Sequence, residues 1–227
     1  MTGETELDAG CQAGLPGRAP REPLTGLVLA GGSSLRMGRD KAFLELAGRP
    51  LIEIVLEQVR QACDEVLVVA GEPGRYSHLG VPVVHDVFRG VGVLGGLHAG
   101  LAAASHDLSV AVGCDMPFLV PDLLRAFANW AVGVDVAVLR EGGHIEPLHG
   151  AYRKTCVAPI ETSIRAGRRR IVSFFPRVRV RYVTATDVAP YDDALRFIRN
   201  VNTSGQWEAV QAEWAAAGRR RAGVGPS

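Results

Sequence analysis

A three-layer α/β fold with a mostly parallel central sheet is what the pattern of this chain predicts, on three observations. Short apolar runs at residues 26–30 and 108–113 show no polar alternation, as strands covered on both faces do not. Such runs alternate with stretches of helical spacing, of which residues 51–63 are the plainest, and that order builds parallel sheets flanked by helices. Glycines and charged residues gather just after the strands, where open α/β sheets bind their ligands.

Taken in order, residues 1–24 are rich in Gly, Pro, Ala and charge without periodicity and read as a flexible tail. The domain is expected over residues 25–217, followed by a second flexible tail at 218–227. Residues 26–30 form the first strand, and 51–63 a helix behind Pro50. A second strand at 65–70 stops at the turn Gly71-Glu72-Pro73-Gly74, and a third follows at 81–85. Residues 95–104 read as a helix of small residues, and 108–113 as a central fourth strand ending at Cys114-Asp115. Pro121 opens a helix to Trp130, since proline is tolerated in a first helical turn. Strands are expected at 134–139 and 149–152, with a helix at 157–166. Arginine and apolar residues alternate over 178–183, the mark of a half-exposed edge strand. A helix at 207–217 closes the domain.

The length of 227 residues suits one sizeable domain with a well-buried core. A formal net charge of +1 argues against broad binding to nucleic acid or membrane surfaces. The acidic first residues carry no basic and apolar leader, and no apolar run approaches a membrane span. The expected location is therefore cytoplasmic. Cys11, Cys63, Cys114 and Cys156 are scattered, without a Cys-x-x-Cys pair or clustered histidines, and read as free thiols. The run Arg168-Arg169-Arg170 reads as a solvated turn or a contact to an anionic partner, and Arg219-Arg220-Arg221 as a solvated end.

Candidate chemistry centres on residues 27–41, Leu-Val-Leu-Ala-Gly-Gly-Ser-Ser-Leu-Arg-Met-Gly-Arg-Asp-Lys. Gly31 and Gly32 let the backbone turn sharply and approach a ligand, and successive N–H groups of such a loop cradle phosphate oxygens. Arg36 and Lys41 supply cations for a triphosphate. The loop differs from the Gly-x4-Gly-Lys-Ser/Thr type, because five residues separate Gly32 from Gly38 and Ala42 follows Lys41. With no hydroxyl after the lysine, a metal ligand has to come from elsewhere. Asp115, after the central strand, offers a hard oxygen for magnesium beside a triphosphate, or simply shapes a turn with Pro117. Asp86 either contacts the nucleotide or ends its strand. Gly90-Val91-Gly92-Val93-Leu94-Gly95 matches the dinucleotide fingerprint Gly-x-Gly-x-x-Gly, with Asp115 about where the ribose-binding acid belongs, but its strand ends earlier, at His85.

Residues 29–42 resemble the signature L-A-G-G-x-S-x-R-M-G-x-D-K-A of the molybdenum cofactor guanylyltransferases, with every fixed position filled. The related cytidylyl-transferring enzymes usually carry Ala-Ala-Gly where this chain has Ala30-Gly31-Gly32, so guanine is favoured. The resemblance implies a Rossmann-like nucleotidyltransferase fold. It also implies a nucleotide site formed by Leu29, Ala30, Gly31, Gly32, Lys41, Asp86, Gly95 and Asp115, with Lys41, Arg36 and Asp115 as the catalytic groups and Asp115 as the Mg2+ ligand. Gly92 and Leu94-Gly95-Gly96-Leu97 resemble the family's Gly-Pro-Leu-Gly/Ala-Gly-Leu, Val93 replacing its proline. Glu146-Pro147-Leu148 with Tyr152-Arg153, and Asn200-Val201-Asn202-Thr203, resemble segments that line the pterin side in the family. Glu146, Tyr152, Asn200 and Asn202 are candidates there. Ser204 stands where the family usually has proline, and Asn202 or Thr203 could equally cap the last helix.

The implied reaction moves GMP from GTP to the terminal phosphate of molybdopterin or its molybdenum-loaded form. The product is the guanine dinucleotide cofactor, and pyrophosphate leaves. Other proteins of cofactor synthesis and molybdoenzyme maturation are the implied partners. Cytidylyl transfer or a sugar-type nucleotidyltransferase is the alternative, ahead of a dinucleotide-dependent oxidoreductase or a non-catalytic nucleotide-binding module.

Overall fold

Strand β1, Leu24–Leu29, lies buried in a seven-stranded sheet whose order is β5-β4-β1-β6-β8-β7-β9. The remaining strands are β2 (Glu45–Leu46), β3 (Arg49–Pro50), β4 (Glu65–Ala70), β5 (Val83–His85), β6 (Leu108–Gly113), β7 (Val136–Glu141), β8 (His144–Arg153) and β9 (Val180–Val183). The computed structural model describes residues 21–30, 41–71, 74–88, 90–192, 194–201 and 203–221. Strands β5, β4, β1 and β6 pair in parallel, and β9 is parallel to β7. Within the seven-stranded sheet only β8 runs against its neighbours, β6 and β7. Every other strand of the sheet therefore ends at one edge, and β8 starts there.

The uninterrupted apolar runs have their explanation in the two faces they serve. Val28, Val68, Val110 and Val112 point to a core beneath α1 (Leu51–Ala62) and α3 (Pro121–Trp130). Leu27, Leu29, Leu67, Val69 and Ala111 point the other way, beneath α2 (Val93–Ala103) and α4 (Val157–Arg165). Burying each such side chain contributes roughly 1.5–3 kcal/mol, so neither face tolerates a polar alternation. The small residues of α2 serve packing: a Cβ on Gly100 would lie 2.9 Å from Leu27 Cδ1 and 3.0 Å from Val69 Cγ2.

Where the structure departs from the sequence-based expectation, tertiary contacts are the reason. Leu24, placed in the tail by composition, is 0 % exposed in β1, and its N–H donates to Asp64 at 2.8 Å. Arg21 donates to the Ala62 carbonyl at 3.0 Å and Glu22 pairs with Arg153 at 2.8 Å, so residues 21–24 are tied to the domain. The hairpin β2–β3 has no apolar run to announce it. The closing helix α6 spans Ser204–Arg221, longer at both ends than expected. It starts at a reciprocal cap, with Thr203 Oγ1 accepting from the Gln206 N–H at 3.2 Å and Gln206 Oε1 from the Thr203 N–H at 3.1 Å. Val210 then packs with Leu46, Leu51, Ile54 and Val201, so α6 covers the hairpin and α1.

Strand β8 carries the one irregularity that bears on the site. Its register against β7 shifts between Ala137 and Leu139, leaving Pro147, Leu148, His149 and Gly150 opposite a single residue, Val138. Proline is accommodated there because a bulge frees it from donating to the ladder. His149 adopts φ 67°, is 0 % exposed, and packs edge-on between Phe127 and Phe197 at 5.2 and 4.4 Å. It stands within the strand expected from residue 149 onward, and lies wholly inside the core.

Burial pushes the His149 imidazole down from 6.5 to about 3. A depressed value means that the unfolded chain takes up a proton that the folded chain refuses. Stability is therefore full above about pH 6.5 and falls as the pH drops towards 3, by up to roughly 1.4 kcal/mol per pH unit. The urea midpoint of the wild type is expected to fall over this range more steeply than that of His149→Asn, whose residue tolerates the left-handed backbone. Parallel pH curves for the two proteins would remove His149 as the cause.

Candidate active site

The strand ends that face the site edge carry the polar groups, and two of them meet there. Beyond β1, Ala30 is fixed by its N–H to the Val69 carbonyl at 2.8 Å, while its own carbonyl accepts from Tyr76 Oη at 3.2 Å. Leu29 is buried, and its carbonyl takes the Cys114 N–H at 3.2 Å. Gly31, Gly32 and Arg36 lie outside the described residues. Lys41 opens the short 3-10 helix Lys41–Phe43, anchored by the buried Ala42 and by Phe43 stacked on Tyr76 at 5.6 Å. This anchoring brings Lys41 to Asp115. Burial raises the Asp115 carboxyl above its ordinary value, and the nearby positive charge of Lys41 opposes that rise.

Glu146 joins them from the antiparallel strand. Strand β8 pairs with β6 up to Ala111 and Gly150, and beyond that pair its bulge sets Glu146 opposite Leu139 of β7, near the site edge of the sheet. The electrostatics agree: burial raises the Glu146 carboxyl, and the negative charge of Asp115 raises it further. Its Oε1 accepts the Leu148 N–H at 3.1 Å, which fixes the side chain against the bulge. The result is one cation and two carboxylates over the ends of β1, β6 and β8.

Asp86 forms a second corner. It follows β5, which is three strand spacings from β6, or about 14 Å. Its Oδ1 accepts the Phe88 N–H at 2.7 Å in a local turn. The carboxylate lies against the first turn of α2, where a Cβ on Gly95 would come within 2.5 Å of Oδ2. Burial raises the Asp86 carboxyl, while the Phe88 N–H and the charge of His98 act to lower it.

The match to the dinucleotide fingerprint resolves differently. Gly90 and Gly92, at φ 76° and 73°, make the turn into α2, but seven residues separate the end of β5 from Val93. The Asp86 carboxylate already occupies the first turn, where that fingerprint seats an anionic pyrophosphate.

The remaining candidates separate. Tyr152 is 0 % exposed, and its hydroxyl donates to the Pro147 carbonyl within β8. The expected pterin-side contact is corrected on that point: the ring belongs to the core and holds the bulge that carries Glu146. Asn200 is exposed, two residues after the 3-10 helix Arg196–Ile198, whose Phe197 packs on His149. Asn202 lies outside the described residues. Arg169 is exposed, and its guanidinium donates to the Gly90 carbonyl at 3.1 Å, so at least part of the basic turn contacts this chain itself.

A metal would find few protein donors here. Among the described residues no three His, Cys, Asp or Glu side chains come together as a metal-holding group. One or two carboxylate oxygens at Asp115 and Glu146, completed by phosphate oxygens and water, suit a magnesium ion, which favours that mixture over an all-protein cage. The donor set therefore fits the ion without fixing its geometry.

Known proteins share the sequence and the fold of this chain. The sequence profile of the MobA-like NTP transferase domain matches residues 26–180. A probable molybdenum cofactor guanylyltransferase of Pelotomaculum thermopropionicum is 40% identical over 179 residues, covering 79% of this chain and 87% of the relative. The molybdenum cofactor guanylyltransferase of Desulfosudis oleivorans is 33% identical, over 84% of this chain and 96% of its own length. Among solved structures, molybdopterin-guanine dinucleotide biosynthesis protein A of Archaeoglobus fulgidus superposes with a TM-score of 0.76 at 26% identity. That match covers 85% of this chain and 99% of the other.

Proposed function

Because the chain belongs to the MobA-like NTP transferase family, we propose that this nucleotidyltransferase moves GMP from GTP to the terminal phosphate of molybdopterin, with or without its molybdenum. The observation that carries this reading is the meeting of Lys41, Asp115 and Glu146 at one strand edge, with Asp86 three strand spacings away.

In this reaction an oxygen of the acceptor phosphate forms a bond to the α-phosphorus of GTP. The bond from that phosphorus to the oxygen bridging to the β-phosphate breaks, and pyrophosphate departs. The acceptor is ionised at neutral pH and needs no strong base. Lys41 stabilises charge on the α-phosphate and the departing pyrophosphate, and Arg36 does the same from the glycine loop, so catalysis rests on positioning and electrostatics. Asp115, with Glu146 beside it, would hold a divalent cation, taken here as Mg2+. When bound, the cation neutralises phosphate charge and aligns the triphosphate. Asp86 contacts the nucleoside, Gly95 leaves room for it to do so, and the glycine pair after Ala30 admits the phosphates. Asn200 and Asn202 contribute to the pterin side. Among the described residues no helix is long and apolar enough to cross a membrane. The reading places the enzyme in the cytoplasm, handing its product to other cofactor proteins.

Pyrophosphate release by purified protein with Mg2+ and molybdopterin, compared for GTP, CTP and ATP, tests the reading. Release with GTP alone, dependent on molybdopterin, is expected. A preference for CTP would move the chain to cytidylyl transfer, and GTP binding without turnover would point to another acceptor or a non-catalytic role.

A further inference from the structure

Outside the groups already assigned, the most unusual side chain near the site is His98. It lies on α2 one turn beyond Gly95, hence on the same helix face, and is only 5 % exposed. Its Nε2 is 3.1 Å from Glu161 Oε1 on α4, while its Nδ1 is buried without a hydrogen-bond partner. The imidazole packs edge-on against Phe88 at 4.9 Å, and Phe88 donates its N–H to Asp86. Its charge also acts on the Asp86 carboxylate, which sits over Gly95.

We propose that His98 is a positioning residue for the nucleotide, holding Asp86 and Phe88 in place through its tie to Glu161. The contacts form one path, from Glu161 on α4 through His98 on α2 to the loop after β5. The charged groups facing it are known from each element: Asp86 from the loop, Glu161 and its partner Arg165 at 3.2 Å from α4, and Arg169, which braces the same loop at Gly90. Burying a polar ring is costly unless it is hydrogen-bonded, and the bond to Glu161 meets that need and fixes the ring. The ring in turn packs on Phe88, whose N–H holds Asp86, an aspartate that burial alone would push towards its neutral form. An ionised Asp86 accepts hydrogen bonds from a nucleoside, and a neutral or displaced one accepts them poorly. Glu161 touches neither Asp86 nor the reacting atoms, so its influence on nucleotide affinity would travel through the imidazole.

The inference rests on the guanylyl-transfer reading in one respect, that Asp86 meets the nucleotide. Direct GTP binding by calorimetry in Mg2+, with steady-state kinetics alongside, separates the two. His98→Phe keeps the aromatic edge at a somewhat larger volume but loses the nitrogen. It is expected to weaken GTP binding and raise its KM about tenfold, with kcat at saturating GTP within about twofold of wild type. Glu161→Gln, at a partly exposed residue that folding tolerates, is expected to shift both in the same direction by about threefold. Wild-type GTP affinity in folded His98→Phe and in Glu161→Gln would overturn the proposal, as would a fall in kcat with KM unchanged. Failure of the wild type itself to bind GTP would overturn the transfer reading and this proposal with it.

Discussion

Asp115→Ala is expected to lower the rate of nucleotidyl transfer at least about a hundredfold, and Lys41→Ala to do the same. Each removes a group fixed where charge moves as the α-phosphate is transferred, and a low-dielectric setting makes such a group worth more than in water. The two losses should differ in their effect on stability. Asp115 has a raised carboxyl value because burial disfavours its charge, and it adds repulsion to Glu146. A raised carboxyl stabilises the fold only while protonated, below its unfolded value, and that contribution is lost as the pH climbs through the folded value. At neutral pH the ionised side chain therefore weakens the fold. Asp115→Ala should melt at the same temperature as the wild type or higher, while its activity collapses. Single-turnover rates with thermal melts on the same samples check this, and near-normal turnover in either folded variant would remove that residue from the chemistry.

Gly95→Ala is the second large effect, and its signs are again opposed. Gly95 stands in the first turn of α2, where alanine gains less over glycine than the about 1 kcal/mol of a helix interior. The added methyl, however, would lie 2.5 Å from Asp86 Oδ2 and 2.8 Å from Oδ1. Backbone cannot give way there without disturbing the entry to α2, so the short aspartate side chain moves and leaves its turn with Phe88. Losing a charge-assisted hydrogen bond to the nucleoside costs roughly 1.5–3 kcal/mol, a weakening of GTP binding of about tenfold to a hundredfold. The helix should remain as stable as before. Calorimetric titration of GTP into the variant checks the affinity and circular dichroism the helix; unchanged affinity would show that Asp86 does not meet the nucleotide.

Much of this was legible before any fold was known. The strands at residues 65–70 and 108–113 and the helix at 121–130 fall where the sequence puts them, because uninterrupted apolar runs and an N1 proline report local burial directly. Lys41 and Asp115 were legible as partners because each follows a strand of the same sheet, and β1 and β6 prove to be adjacent. Glu146 was legible only through its resemblance to a family segment. Its proximity to Asp115 depends on β8 running antiparallel to β6, which no local pattern encodes. Tyr152 was a candidate through the same resemblance, and nothing local tells a hydroxyl that faces a ligand from one that spans a bulge. His98 gave no signal at all: one histidine in a small-residue helix acquires meaning only when Glu161, 63 positions away, is folded against it.

The sequence by itself determined the α/β class, the glycine loop with its cations, the acid after the central strand and the family to which the chain belongs. Each of these resides in a few consecutive residues, where dihedral preference, hydrophobic period and charge act locally. Only the tertiary structure decided which candidates share a site, which ring is core, and what supports Asp86. Those properties arise from strand order and register, which long-range burial selects and which bring together groups far apart along the chain.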